Sequence, residues 1–90
     1  MNLTGKNIVI TGAASGIGRA MTRRFKAEGA ANIVITDVNA EGLALVAEET
    51  GAIPRTANLG EEQPVLDFIQ FAEAELGQID LLCNNAGISV

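Results

Sequence analysis

The 90-residue sequence has no histidine, no tryptophan and no tyrosine, and only one cysteine. Without histidine it can build neither a His-based catalytic triad nor a His-ligated zinc site. Cys83 alone closes no internal disulfide and has no second thiolate to share a metal with, which fits a reducing compartment. Basic residues are scarce: six Lys and Arg face eleven Asp and Glu, for a net charge of −5. No basic stripe is available to meet phosphates in bulk, so neither a nucleic-acid nor a membrane surface is expected. No apolar run approaches the roughly 18 residues of a membrane span. The opening Met1-Asn2-Leu3-Thr4-Gly5-Lys6 lacks signal-peptide architecture, making a cytoplasmic site the default expectation. A chain of this length is one small domain, residues 1–90, or part of a larger one.

What the chain does have is glycine, concentrated where it matters in Thr11-Gly12-Ala13-Ala14-Ser15-Gly16-Ile17-Gly18. Before this stretch, Ile8-Val9-Ile10 reads as a strand buried on both faces. After it, Ile17, Met21 and Phe25 recur at helical spacing and predict an apolar helix face. A strand, a glycine-rich turn and a helix in that order make a dinucleotide-binding opening. Gly12 permits the tight turn, Gly16 clears space for a pyrophosphate to reach backbone N–H groups, and Gly18 allows helix and strand to pack closely. The helix N-terminus adds unpaired donors and about half a positive charge. The same pattern also fits a βα turn that holds no ligand. No G-x-x-x-x-G-K-[ST] occurs, so a triphosphate P-loop is not supported.

The first helix should run from Ser15–Gly16 to Glu28 and stop at Gly29. Ile33-Val34-Ile35-Thr36 predicts a second buried strand, closed by Asp37. Asn39 then caps a helix whose apolar face is Leu43, Val46 and Ala47 and which ends at Gly51. Glu48 and Glu49 sit unfavourably for the dipole of that helix. Residues 52–57 suit an edge strand, because Pro54 offers no donor. A third helix begins near Glu61–Pro64 with an inward stripe of Val65, Phe68, Ile69, Ala72 and Leu76, and stops at Gly77. Ile79–Cys83 predicts a fourth strand leading into Asn84-Asn85-Ala86-Gly87. The order β-α-β-α-β-α-β, with short connections and right-handed crossovers, predicts an α/β, Rossmann-type, doubly wound parallel sheet of strand order 3-2-1-4. That order puts Gly12 and Asn85 on opposite sides of one crevice.

Asp37 lies at a strand end about 20 residues on from the glycines, where a carboxylate accepts bonds from adenosine ribose hydroxyls and repels a 2′-phosphate. Nothing basic follows it, and the loop carries Ser15 rather than lysine or arginine, which favours NAD over NADP. A helix-capping or solvated aspartate is the simpler alternative. Asn84 and Asn85 need partners at a strand end and offer enough donors and acceptors to tie neighbouring strands together. Thr11 is placed to donate to a neighbouring strand or turn carbonyl. Asn58 reads either as a contact to an adenine edge or as a turn residue before Gly60. Cys83 has no cationic neighbour in sequence and reads as a small core side chain. Arg19, Arg23 and Lys26 read as solvated helix positions.

Together these residues resemble the short-chain dehydrogenase/reductase family. Thr11–Gly18 matches its T-G-x-x-x-G-x-G cofactor motif, Asn84–Gly87 matches its N-N-A-G motif, and Asp37 sits where NAD-preferring members keep an acid. The resemblance spans all 90 residues and implies the N-terminal cofactor-binding part of an NAD(H)-dependent oxidoreductase that interconverts an alcohol and a ketone by hydride transfer. It implies that Gly12, Ser15, Gly16, Ile17 and Gly18 line the pyrophosphate and adenosine ribose, and that Asp37 holds the ribose hydroxyls. By the same resemblance, Asn58 and Leu59 stand where the family keeps an aspartate–aliphatic pair beside the adenine, and Asn85, Ala86 and Gly87 would flank the adenosine side and the approach to the nicotinamide. It also implies a small-molecule substrate and a homo-oligomer in the full-length protein. The family's general acid/base is a tyrosine with a lysine four residues on. This chain has no tyrosine, so no catalytic residue is assigned and no turnover is expected of these residues alone. A non-catalytic adenine-nucleotide-binding module is the rival reading.

Overall fold

Two strands of this protein carry the same five residues. Asn-Ile-Val-Ile-Thr forms both β1 (Asn7–Thr11) and β2 (Asn32–Thr36), and the two copies pair in parallel with like residues opposite each other. β-Branched side chains suit a pleated surface covered on both sides, and Ile8, Val9, Ile10, Val34 and Ile35 are all fully buried. At one end of the pair, Asn32 Nδ2 donates to Asn7 Oδ1 at 3.1 Å. At the other, Thr11 and Thr36 stand side by side at the crest where the loops emerge.

The computed structural model describes residues 3–85. Helix α1 (Gly16–Ala27) follows β1, α2 (Ala40–Thr50) follows β2, and a short β3 (Ile53–Pro54) leads to α3 (Glu62–Leu76) and β4 (Leu81–Asn84). The parallel sheet has the order β3-β2-β1-β4 expected from the crossovers. Alternation along the strands separates two cores. Ile8, Ile10, Ile33 and Ile35 pack with Leu43 and Val46 of α2 and with Met21 and Phe25 of α1. Val9 and Val34, on the opposite face, pack with Phe68 and Ala72 of α3. That second face has only one helix over it among the described residues, and Leu82 on β4 remains half-exposed.

Several boundaries differ from expectation for physical reasons. β3 is two residues long, pairing Ile53 and Pro54 with Val34 and Ile35. Past Pro54 the chain keeps beside β2 only through the Arg55 N–H to Ile35 O and the Ala57 N–H to Asp37 O. β4 starts at Leu81 rather than Ile79, because Asp80 is engaged with Asn7: its carboxylate accepts the Asn7 N–H and its own N–H donates to Asn7 O, both at 2.8 Å. The strand then continues through Asn84, which pairs with Thr11. Ile17 does not join the buried face of α1 and is 68% exposed. It lies in the first turn, beyond the strand ends, while the residues that α1 buries are Gly18 and Thr22.

The arginines of α1 are more than solvated. Arg19 and Arg23 both reach Glu49 on α2, with Arg23 gripping both carboxylate oxygens at 2.6 Å. These bonds offset the dipole cost at the end of α2 and hold the Glu49 carboxyl down from 4.5 to about 2. A carboxyl lowered in this way contributes its full stabilisation above 4.5, which is lost as pH falls towards 2.

Candidate functional site

The crest of the sheet, where β1, β2 and β4 end, is organised around the carbonyl oxygen of Gly12. Gly12 turns the chain out of β1 at φ 65°, a conformation a side chain resists. Its oxygen accepts from the Ser15 N–H at 3.2 Å, the Ser15 Oγ–H at 2.7 Å and the Asn85 Nδ2–H at 3.1 Å. Ser15 is the N-cap of α1: its Oγ accepts from the Gly18 N–H at 3.3 Å and from Asn85 Nδ2 at 2.9 Å. One asparagine at the end of β4 therefore fastens both ends of the glycine turn. Thr11 Oγ1 donates to Asn84 Oδ1 at 2.9 Å and links β1 to β4 just below. The expected crevice between Gly12 and Asn85 is thus present, spanned by hydrogen bonds.

The glycines differ in their surroundings. A Cβ on Gly18 would lie 2.1 Å from Gly12 O and 2.8 Å from Ala13 Cα, so α1 approaches β1 only with a bare Cα there. A Cβ on Gly16 would meet nothing within 4 Å. Gly16 faces open space at the start of a helix whose first N–H groups have no helical partner, which is the form of an anion cradle.

Asp37, half-buried at the end of β2, receives the Ala14 N–H on Oδ2 and the Asn39 N–H on Oδ1, each at 3.0 Å. It therefore joins the glycine loop to the start of α2, while Asn39 Oδ1 caps that helix at Gly42 N. Two bonds leave a carboxylate with unused lone pairs, since it has about four acceptor sites. Asn58 is engaged in a turn: its Oδ1 accepts from the Gly60 N–H at 3.1 Å. The turn reading of Asn58 holds, and the residue also lines the cleft.

That cleft has a volume of about 350 Å³ and is lined by Gly12, Ser15, Asp37, Val38, Ala57, Asn58, Leu59 and Asn85. It is within the size range of small-molecule sites and carries no lysine or arginine. Val38, 70% exposed beside Asp37, is an apolar wall that the sequence reading did not single out; an aliphatic residue directly after a strand-end acid was its signal. Cys83 lies one strand residue below the crest and packs with the core on the α1 face. Partial burial raises its thiol pKa, which disfavours the thiolate. Ala86 and Gly87, also expected at the site, lie outside the described residues. Among the described residues no cluster of His, Cys, Asp and Glu could hold a metal ion, and no helix is long and apolar enough to cross a membrane.

Comparison with known proteins places this arrangement. Residues 6–90 match the family described as short chain dehydrogenase. A 1-deoxy-11-beta-hydroxypentalenate dehydrogenase from Streptomyces avermitilis is 40% identical, with 98% of this chain and 34% of the relative aligned. Among solved structures, a 3-ketoacyl-(acyl-carrier-protein) reductase from Brucella melitensis complexed with NADH is 38% identical, with a TM-score of 0.83 over 89% of this chain and 34% of that one. A short chain dehydrogenase/reductase from Burkholderia phymatum in complex with NAD is 30% identical, with a TM-score of 0.84 over 91% of this chain and 31% of the other. The chain spans about a third of the length of the relatives it matches.

Proposed function

Because the chain belongs to the short chain dehydrogenase family, we propose that it forms the cofactor-binding part of an oxidoreductase that uses NAD(H) in preference to NADP(H) to interconvert an alcohol and a ketone. One observation carries this reading: Gly12 and Ser15 of the glycine turn line one cleft together with the carboxylate of Asp37, and the neighbouring Gly16 faces open space. The N–H groups of the first turn of α1 receive the pyrophosphate over Gly16. The free lone pairs of Asp37 accept the ribose hydroxyls, while Val38, Asn58 and Leu59 flank the adenine. Asn85, followed by Ala86 and Gly87, borders the approach to the nicotinamide. When bound, the dinucleotide supplies hydride transfer at its nicotinamide ring, and the protein's part is to bind and orient it.

The preference for NAD rests on charge. A 2′-phosphate would be set against the Asp37 carboxylate in a cleft lined by no cation, and like charges so placed repel. Titration of NAD and NADP against the protein and its Asp37→Ala variant tests the reading. NAD should bind the wild type more tightly, and the substitution should shrink the affinity ratio by about tenfold, the worth of one charge-assisted hydrogen bond. Equal ratios before and after would remove Asp37 from that role. The 90 residues alone should turn over no alcohol or ketone, since they contain no tyrosine to move the proton. Steady turnover by the purified chain would overturn that expectation.

A further inference from the structure

Gly42, in the first turn of α2, occupies a position where alanine would ordinarily favour the helix. Its surroundings work against that gain. A Cβ there would lie 2.7 Å from Asn39 Nδ2, 3.2 Å from Asn39 Cγ and 3.1 Å from the Cβ of Ala14 in the glycine loop. Asn39 is poorly free to swing away, because its Oδ1 accepts the Gly42 N–H at 3.1 Å and caps the helix. Ala14 is tied as well, through its N–H to Asp37 Oδ2, and Asn39 N–H holds the other oxygen of the same carboxylate. Ala14, Asp37, Asn39 and Gly42 thus close a ring of contacts that joins the glycine loop to the start of α2.

We propose that Gly42 is a positioning residue: its bare Cα lets the glycine loop sit low enough at Ala14 for the main chain to pin the Asp37 carboxylate. Resting on the nucleotide reading above, this makes Gly42 a determinant of ribose recognition. It lies outside the cleft lining. Its effect passes through Ala14, so a methyl group at position 42 lifts the loop, lengthens the Ala14–Asp37 bond and releases the carboxylate from its fixed orientation.

The test is a double-mutant cycle of Gly42→Ala and Ala14→Gly in the full-length protein as its gene encodes it, with thermal melts as a folding control. Exchange of the Ala14 amide, followed by NMR without ligand, reads the ring directly. Gly42→Ala should speed that exchange by about tenfold, the equivalent of one hydrogen bond, and should weaken NAD binding about three- to tenfold while narrowing the NAD/NADP ratio. Adding Ala14→Gly removes the methyl of the loop that is struck, so the double variant should recover most of the exchange protection and affinity lost in Gly42→Ala, leaving only what the Asn39 contact costs. Wild-type exchange in Gly42→Ala, or a deficit that persists undiminished in the double variant, would overturn the proposal. Should Gly42→Ala fail to fold, recovery of folding in the double variant supports the contact, and failure of both refutes it. If the wild type binds no dinucleotide, the functional reading falls by itself and the exchange rates alone decide the role of Gly42.

Discussion

Gly16 and Gly18 stand two residues apart in one turn and serve different masters. Around Gly18 the molecule is closed: helix and strand meet so tightly that a Cβ would penetrate the Gly12 carbonyl. Around Gly16 it is open, and an added Cβ would meet nothing within 4 Å. The contrast extends to the whole crest. Its floor, made of Thr11, the Gly12 carbonyl, Gly18 and Asn85, is tightly drawn together by hydrogen bonds, with the exposed Asn84 bonded to Thr11 at its edge. Its rim carries exposed Ser15, Gly16, Ile17, Val38 and Asn58, with large apolar side chains left in solvent at Ile17 and Val38. The floor ties the chain's own elements together, whereas the rim stands open to solvent.

Substitutions sharpen this contrast, beginning with the largest effect. Gly18→Ala should destabilise the protein by about 3 kcal/mol, because two backbones would have to move apart, and lower the melting temperature by about 10–20 °C. A melt like that of the wild type would mean that the floor is looser than its distances indicate. Gly16→Val should leave the melt nearly unchanged yet weaken NAD(H) binding about a hundredfold, as expected for the loss of two charge-assisted hydrogen bonds to phosphate. Calorimetry showing full affinity would remove the pyrophosphate from the rim. The smallest effect has the opposite sign. Thr36 is fully buried beside Thr11, and its Oγ1 has no hydrogen-bond partner among the described residues. Thr36→Val keeps the shape and deletes the unpaired hydroxyl, so it should raise stability by up to about 1 kcal/mol. A lower melting temperature would show that the hydroxyl is used.

Much of the fold was legible because its signals are local. Unbroken β-branched runs announced β1 and β2, Asn39 announced a cap, and Gly29, Gly51 and Gly77 marked where helices stop. The assignments that moved depended on partners distant in sequence. β4 begins late because Asp80 is held by Asn7. Ile17 has the spacing of a core residue, but it stands on the solvent side of the first turn of α1, whose close contact is made by Gly18. Glu49 looked misplaced on its own helix until Arg19 and Arg23 arrived from another. At the site, Asp37 and Asn85 were visible as polar residues at strand ends. Gly42 was not, since nothing nearby in sequence shows that Ala14 will press against it.

The order of residues alone dictated the alternation of strands and helices, and with it the parallel sheet, because periodicity and chain connectivity are properties of neighbours along the chain. It also placed Gly12, Asp37 and Asn85 at strand ends, and hence on one crest, since parallel strands all finish on the same side. Folding decided which glycine is structural and which is open, which lone pairs of Asp37 are already taken, and that a glycine in α2 seats the loop after β1. Those matters turn on distances of a few tenths of an ångström between segments far apart in sequence. Only the packed molecule sets such distances.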